Sequence, residues 1–123
     1  MDFSKNAWAL FSDPEIASAG LTEEEAVKQG FDIFTGKYDY KIDARAQISE
    51  KPFGALKFVV DKKTTQIIGV HIMTEGASNI AGEGSLIVSM KVTLKDVAEA
   101  IHAHPTLTES FGFLARNMLS AVR

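Results

Sequence analysis

The stretch Ala55-Leu56-Lys57-Phe58-Val59-Val60, then Asp61-Lys62-Lys63-Thr64-Thr65, then Gln66-Ile67-Ile68-Gly69-Val70-His71-Ile72-Met73 decides the fold. Its two apolar runs are rich in β-branched and aromatic residues and bounded by polar ones, which is how strands read. The five polar residues 61–65 between them make the pair a hairpin.

Upstream, residues 43–52 are polar and irregular, and residues 31–40 carry the aromatic and β-branched side chains of another strand. Leu21-Thr22-Glu23-Glu24-Glu25-Ala26 opens a helix. Thr22 is its cap, Glu25 stands three residues on as in a capping box, and Leu21 can staple to Ala26. The glutamates favour the positive end of the helix dipole, and Gly30 ends the helix after about two turns. Residues 7–11 are a short strand running into the turn cluster Ser12-Asp13-Pro14-Glu15.

Downstream the period changes. Ala77, Ile80, Ala81, Gly84 and Val88 fall at helical spacing, and their small side chains let that face pack closely on a sheet. Thr93-Leu94-Lys95-Asp96 opens a further helix with Leu94, Val97, Ala98 and Ile101 on one stripe. A last helix follows Pro105, with Phe111, Leu114, Ala115, Met118 and Val122 as its apolar stripe. Hairpin-linked strands followed by helices predict an α+β fold: an antiparallel sheet of about four to five strands with helices packed against it. Residues 1–123 are expected to form a single domain, without repeats or linkers.

Composition narrows function. The chain has 46% hydrophobic and 24% charged residues, the balance of a soluble globular protein. Its net charge of −3 and lack of a cationic tract argue against nucleic acid. It has no cysteine, hence no disulfide framework, thiolate nucleophile or thiolate-bound metal. No apolar run approaches the roughly 18 residues of a membrane span, and the first residues have no signal-peptide pattern. A cytoplasmic location is expected, with no membrane partner.

Chemistry concentrates in Ala100-Ile101-His102-Ala103-His104-Pro105-Thr106-Leu107-Thr108-Glu109. An imidazole titrates near neutral pH and can act as a base, and a carboxylate on its other nitrogen would orient it. By that reading His104 and Glu109 are a catalytic pair. By the other, Thr106 and Glu109 form a capping box, and spacing alone favours the cap. His102 and His104 are expected to point apart, and a zinc site wants three or four converging ligands, so no metal is expected. His71 reads as a surface or partly buried strand residue. Gly82-Glu83-Gly84 lacks the third glycine of a dinucleotide fingerprint and lies in a helical pattern. No cofactor-binding residue is therefore expected in this chain.

The same segment closely resembles the C-terminal signature of the dihydrolipoamide dehydrogenase branch of the pyridine nucleotide–disulfide oxidoreductase family. The resemblance extends to Phe11-Ser12-Asp13-Pro14-Glu15-Ile16-Ala17-Ser18-Ala19-Gly20-Leu21-Thr22-Glu23, to Ala44-Arg45-Ala46, which is similar to a short arginine loop, and to the central hairpin. It departs from the family at Asn79, where many relatives place an acidic residue, and at Ser110-Phe111-Gly112-Phe113. It implies the dimerisation, or interface, domain of a flavoenzyme whose FAD and NAD domains precede it in the chain and are absent here. It further implies a homodimer, a small-molecule dithiol substrate, a cis bond between His104 and Pro105, and a position for both near the flavin and disulfide. In that picture His104 and Glu109 are an acid–base pair supplied to the partner subunit's disulfide, and the chain is inactive alone. The alternatives are the same domain of another disulfide reductase, or a stand-alone dimeric interaction module that uses the fold only to associate.

Overall fold

The computed structural model describes residues 5–122. Five strands form one antiparallel sheet in the order β1-β2-β5-β4-β3: β1 Ala7–Leu10, β2 Ile16–Gly20, β3 Ile33–Asp39, β4 Ala55–Asp61 and β5 Ile67–Met73. The five helices are α1 Glu23–Lys28, α2 Ala44–Ile48, α3 Ala77–Ser89, α4 Leu94–Glu99 and α5 Glu109–Val122. The fold is α+β, as the strand and helix patterns predict.

The hairpin β4–β5 pairs Leu56 with Ile72 and Phe58 with Val70, and β2 sets Ala17 beside Ile72 and Ala19 beside Val70. Alternation therefore lays Ala19, Val70 and Phe58 in one row and Ala17, Ile72 and Leu56 in the next, all buried on one face. Helices α3 and α5 pack on that face. Two glycines set their approach. A Cβ on Gly84 of α3 would stand 3.0 Å from Val70 Cγ1, and one on Gly36 of β3 would stand 2.6 Å from Met118 Sδ of α5. On the other face α1 covers one end of the sheet, burying Ala26 with Leu21 and Val59. Its capping box is formed as expected: Glu25 N–H donates to Thr22 Oγ1, and Thr22 N–H donates to Glu25 Oε2 at 2.8 Å.

Three local findings add to or correct the sequence reading. Residues 16–20, to which the sequence pattern assigned no element, form a strand. Ala17 and Ala19 are small because α3 lies directly on them, and β2 is held by neighbours on both sides. The polar region 43–52 contains α2, a short helix capped by Asp43, whose Oδ1 accepts from Ala46 N–H at 2.9 Å. The resemblance's arginine loop is thus helical, with Arg45 exposed. Third, α4 stops at Glu99 and Ala100 turns extended, so Ile101 leaves the stripe and is 99% exposed. Val122, at the end of α5, is also half exposed. Among the described residues no helix is long and apolar enough to cross a membrane.

Candidate functional site

The site lies on the connection from α4 to α5. Residues 100–108 contain neither helix nor strand, so side-chain bonds must hold them. Glu109, the first residue of α5, does most of this. Its Oε2 accepts the Thr106 N–H at 3.0 Å, and both of its carboxylate oxygens lie 3.0 Å from His104 Nδ1. The spacing of residues 106–109 left a choice between cap and orienting carboxylate. Glu109 fills both roles at once. The box is only half formed, because Thr106 Oγ1 turns away to donate to Ala103 O at 2.7 Å.

Electrostatics fixes the tautomer. The Thr106 amide bond, and then the His104 bond, hold the Glu109 carboxyl below its usual range despite partial burial. A carboxylate accepts only, so His104 Nδ1 carries a proton, and in the neutral form of the ring Nε2 carries the lone pair. The His104 side chain is 69% exposed while that of Glu109 is 13% exposed. The arrangement presents a basic nitrogen to the outside, backed by an anchored negative charge. The His104–Pro105 peptide is cis, as the resemblance implies, and so is Asp13–Pro14.

The base of α5 is fixed from below. Tyr40 Oη and Ser110 Oγ lie 3.0 Å apart, both fully buried, and Ser110 Oγ donates to Leu107 O at 2.5 Å. Phe111 sits against Phe58 of the hairpin with ring centres 5.7 Å apart. Tyr38 stacks on one side of Phe113, and the Arg116 guanidinium lies 5.1 Å from the centre of the same ring. These supports are not visible in sequence, since their partners come from β3, the turn after it and β4.

His102 and His104 turn to different carboxylates. Strand alternation would put residues i and i+2 on the same side, but this segment is not a strand. His102 Nε2 lies 2.7 Å from Glu83 Oε1 in α3, a partner that sequence reasoning passed over. Among the described residues no three histidine, aspartate or glutamate side chains converge on a metal position. His71 is half-buried in β5. Leu21 O can only accept, so His71 Nε2–H donates to it at 3.0 Å, and Nδ1 accepts the Ser18 hydroxyl proton. Burial lowers its pKa. Gly82 and Gly84 lie within α3, and Gly84 faces Val70 in the sheet. These residues therefore do not fit a dinucleotide phosphate.

Residues 6–115 match the family described as the pyridine nucleotide-disulphide oxidoreductase, dimerisation domain. The chain is 34% identical over 110 residues to mitochondrial dihydrolipoyl dehydrogenase 1 of Arabidopsis thaliana, covering 89% of the chain and 22% of that protein. It is 37% identical over 110 residues to the dihydrolipoyl dehydrogenase of Halobacterium salinarum, covering 89% and 23%. The chain thus spans under a quarter of the length of these relatives. Its fold superposes on the crystal structure of LpdA from Mycobacterium tuberculosis with a TM-score of 0.89 at 24% identity, covering 96% of this chain and 26% of that one. At that identity the superposition shows the fold alone.

Proposed function

The chain belongs to the pyridine nucleotide–disulfide oxidoreductase dimerisation-domain family, and we propose that it serves a dihydrolipoamide dehydrogenase-like flavoenzyme by supplying His104 and Glu109 to the partner subunit's disulfide site. One observation carries this reading: His104 Nδ1 is held by the Glu109 carboxylate while the ring is mostly exposed, which leaves Nε2 free to take a proton.

The chemistry follows from thiol reactivity. Thiolate is the nucleophile, and a thiol of pKa about 8.5 is mostly protonated at neutral pH. His104 Nε2 takes the S–H proton of a dithiol. The electron pair left on that sulfur attacks one sulfur of a disulfide, the old S–S bond breaks as the new one forms, and the second sulfur leaves as thiolate. Glu109 stabilises the imidazolium during this step. The chain has no cysteine, so the disulfide stands outside these residues. Gly82 and Gly84 lie inside α3 and do not cradle a dinucleotide phosphate, so on this reading FAD and NAD, which the family resemblance implies, are held outside the described residues. By the same reading the isolated chain does not turn over.

Complementation between subunits tests the proposal. A flavoenzyme subunit carrying His104→Gln is mixed with one whose disulfide cysteines are replaced by serine. The homodimer without the disulfide cysteines is inactive, and the His104→Gln homodimer retains only a small residue of turnover. The hybrid regains dithiol-linked turnover at one of its two sites if His104 acts across the interface. A hybrid no more active than its parents would overturn the assignment. A module that only associates would form the hybrid and gain nothing from His104.

A further inference from the structure

We propose that His102, held by Glu83 and seated over Gly112, is a positioning residue for His104, fixing the connection that presents the His104 imidazole to Glu109. The inference rests on the acid–base reading of His104.

The connection has no backbone ladder of its own, so its shape comes from side-chain ties. Just before it, in the last turn of α4, Ala98 O accepts from Arg116 Nη1 at 3.0 Å. At its end Thr106 Oγ1 donates to Ala103 O, a tie within the segment itself. His102 is different because it reaches a third element, binding Glu83 of α3 at 2.7 Å. Its ring also lies over α5. A Cβ at Gly112 would come within 3.4 Å of His102 Nδ1 and within 3.2 and 3.3 Å of Arg116 Nη1 and Nη2. Glycine at 112 is therefore what lets two of the ties lie against the helix.

The exposures divide the labour. The His102 side chain is 13% exposed and the His104 side chain 69%, with one residue between them. His102 is embedded between α3 and α5, and His104 is presented. Glu109 can orient only a ring that is delivered to it, and a displacement of about 1 Å is enough to spoil a reacting geometry. Releasing His102 removes the nearest tie before His104 that reaches another element.

Nitrogen NMR of the chain, at a pH where its imidazoles are neutral, reads the effect directly. In the unaltered chain the proton held on Nδ1 keeps the two His104 ring nitrogens well separated in shift, as in a single tautomer. Glu83→Ala removes the anchor and puts a good helix former on α3. His102→Phe keeps a ring over Gly112 and removes the bonding nitrogen. In both, the two His104 resonances are expected to shift toward each other, as in a mixture of tautomers, with circular dichroism unchanged. A role in stability alone would lower the unfolding midpoint and leave those resonances in place. If one variant fails to fold, the other decides the matter, and His104 resonances left in place in the folded one overturn the proposal. A single His104 tautomer that survives the substitutions overturns this inference alone. A mixture already present in the unaltered chain overturns the acid–base reading, and this inference with it.

Discussion

His104 meets a glutamate five residues away, at the first turn of the helix that follows. His102 meets one nineteen residues away, across the space between α3 and α5. The two pairs share donor and acceptor types, at 3.0 Å for His104 and 2.7 Å for His102. They differ in what surrounds them. The local pair leaves its imidazole open to a reactant, and the long-range pair encloses its own. A histidine–carboxylate contact therefore does not announce a catalytic base. On the proposed reading, what suits a base is the free face of the ring together with a carboxylate tied down by a bond other than the histidine's.

The substitution that separates the pairs most strongly is His104→Gln. In a flavoenzyme carrying this domain, dithiol-linked turnover should fall by about two to four orders of magnitude, the range for a positioned acid–base group. Reduction of the flavin by NADH should change far less, because it needs no thiol deprotonation. Stopped-flow measurement of the two half-reactions distinguishes them, and equal losses in both would remove His104 from the base role. The unfolding midpoint should stay put, since the side chain is mostly exposed.

His102→Ala should do the reverse to the folded state. It strips a mostly buried ring from between two helices and leaves Glu83 without its partner. A loss of about 1–3 kcal/mol is expected, the usual cost of orphaning a buried polar group. Urea titration of the chain measures it. A change no larger than that of an exposed substitution would mean that the two pairs are not distinct in kind.

Acid should act on the Glu109 pair through a known window. A carboxyl whose folded pKa lies below its unfolded value of about 4.3 binds more protons when unfolded in the interval between the two. Its stabilisation is complete above about 4.3 and is lost as pH falls through the folded pKa. Glu15, Glu23, Glu25 and Asp96 are also held low, by bonds to Ser78, Lys57, Thr22 and Thr93, so the acid slope is shared with them. His71 adds a separate window. Burial lowers its folded pKa, so stability begins to decline as pH drops below about 6.5. Glu109→Gln should flatten the lower slope in part and leave the upper one. Urea midpoints collected across both windows would show it, and an unchanged lower slope would mean Glu109 is not held as described.

The smallest effect belongs to Ile101, which sits between the α4 stripe and His102. At 99% exposure, Ile101→Gln should move stability by no more than about 0.5 kcal/mol. A cost of a core residue's size would put Ile101 back in the apolar stripe that its spacing suggests.

That residue marks where sequence stops deciding. Local chemistry was legible: the β4–β5 hairpin from two β-branched runs and a polar loop, the Thr22–Glu25 box, and Glu109 within reach of both Thr106 and His104. Each of these rests on neighbours a few residues apart, whose relative positions the backbone constrains strongly. The α+β class followed from the order of such pieces. What remained hidden depends on partners distant in the chain. β2 carries small residues because α3 packs on them, and small residues alone do not read as a strand. Ile101 keeps helical spacing, but α4 ends before reaching it. Glu83 looked like part of a glycine-flanked helix until packing brought α3 beside the connection to α5. Period and composition report which side chains want burial or a partner. Only the assembled sheet, with α5 seated on Gly36 and α3 brought close through its own Gly84, decides which partner comes within hydrogen-bond range.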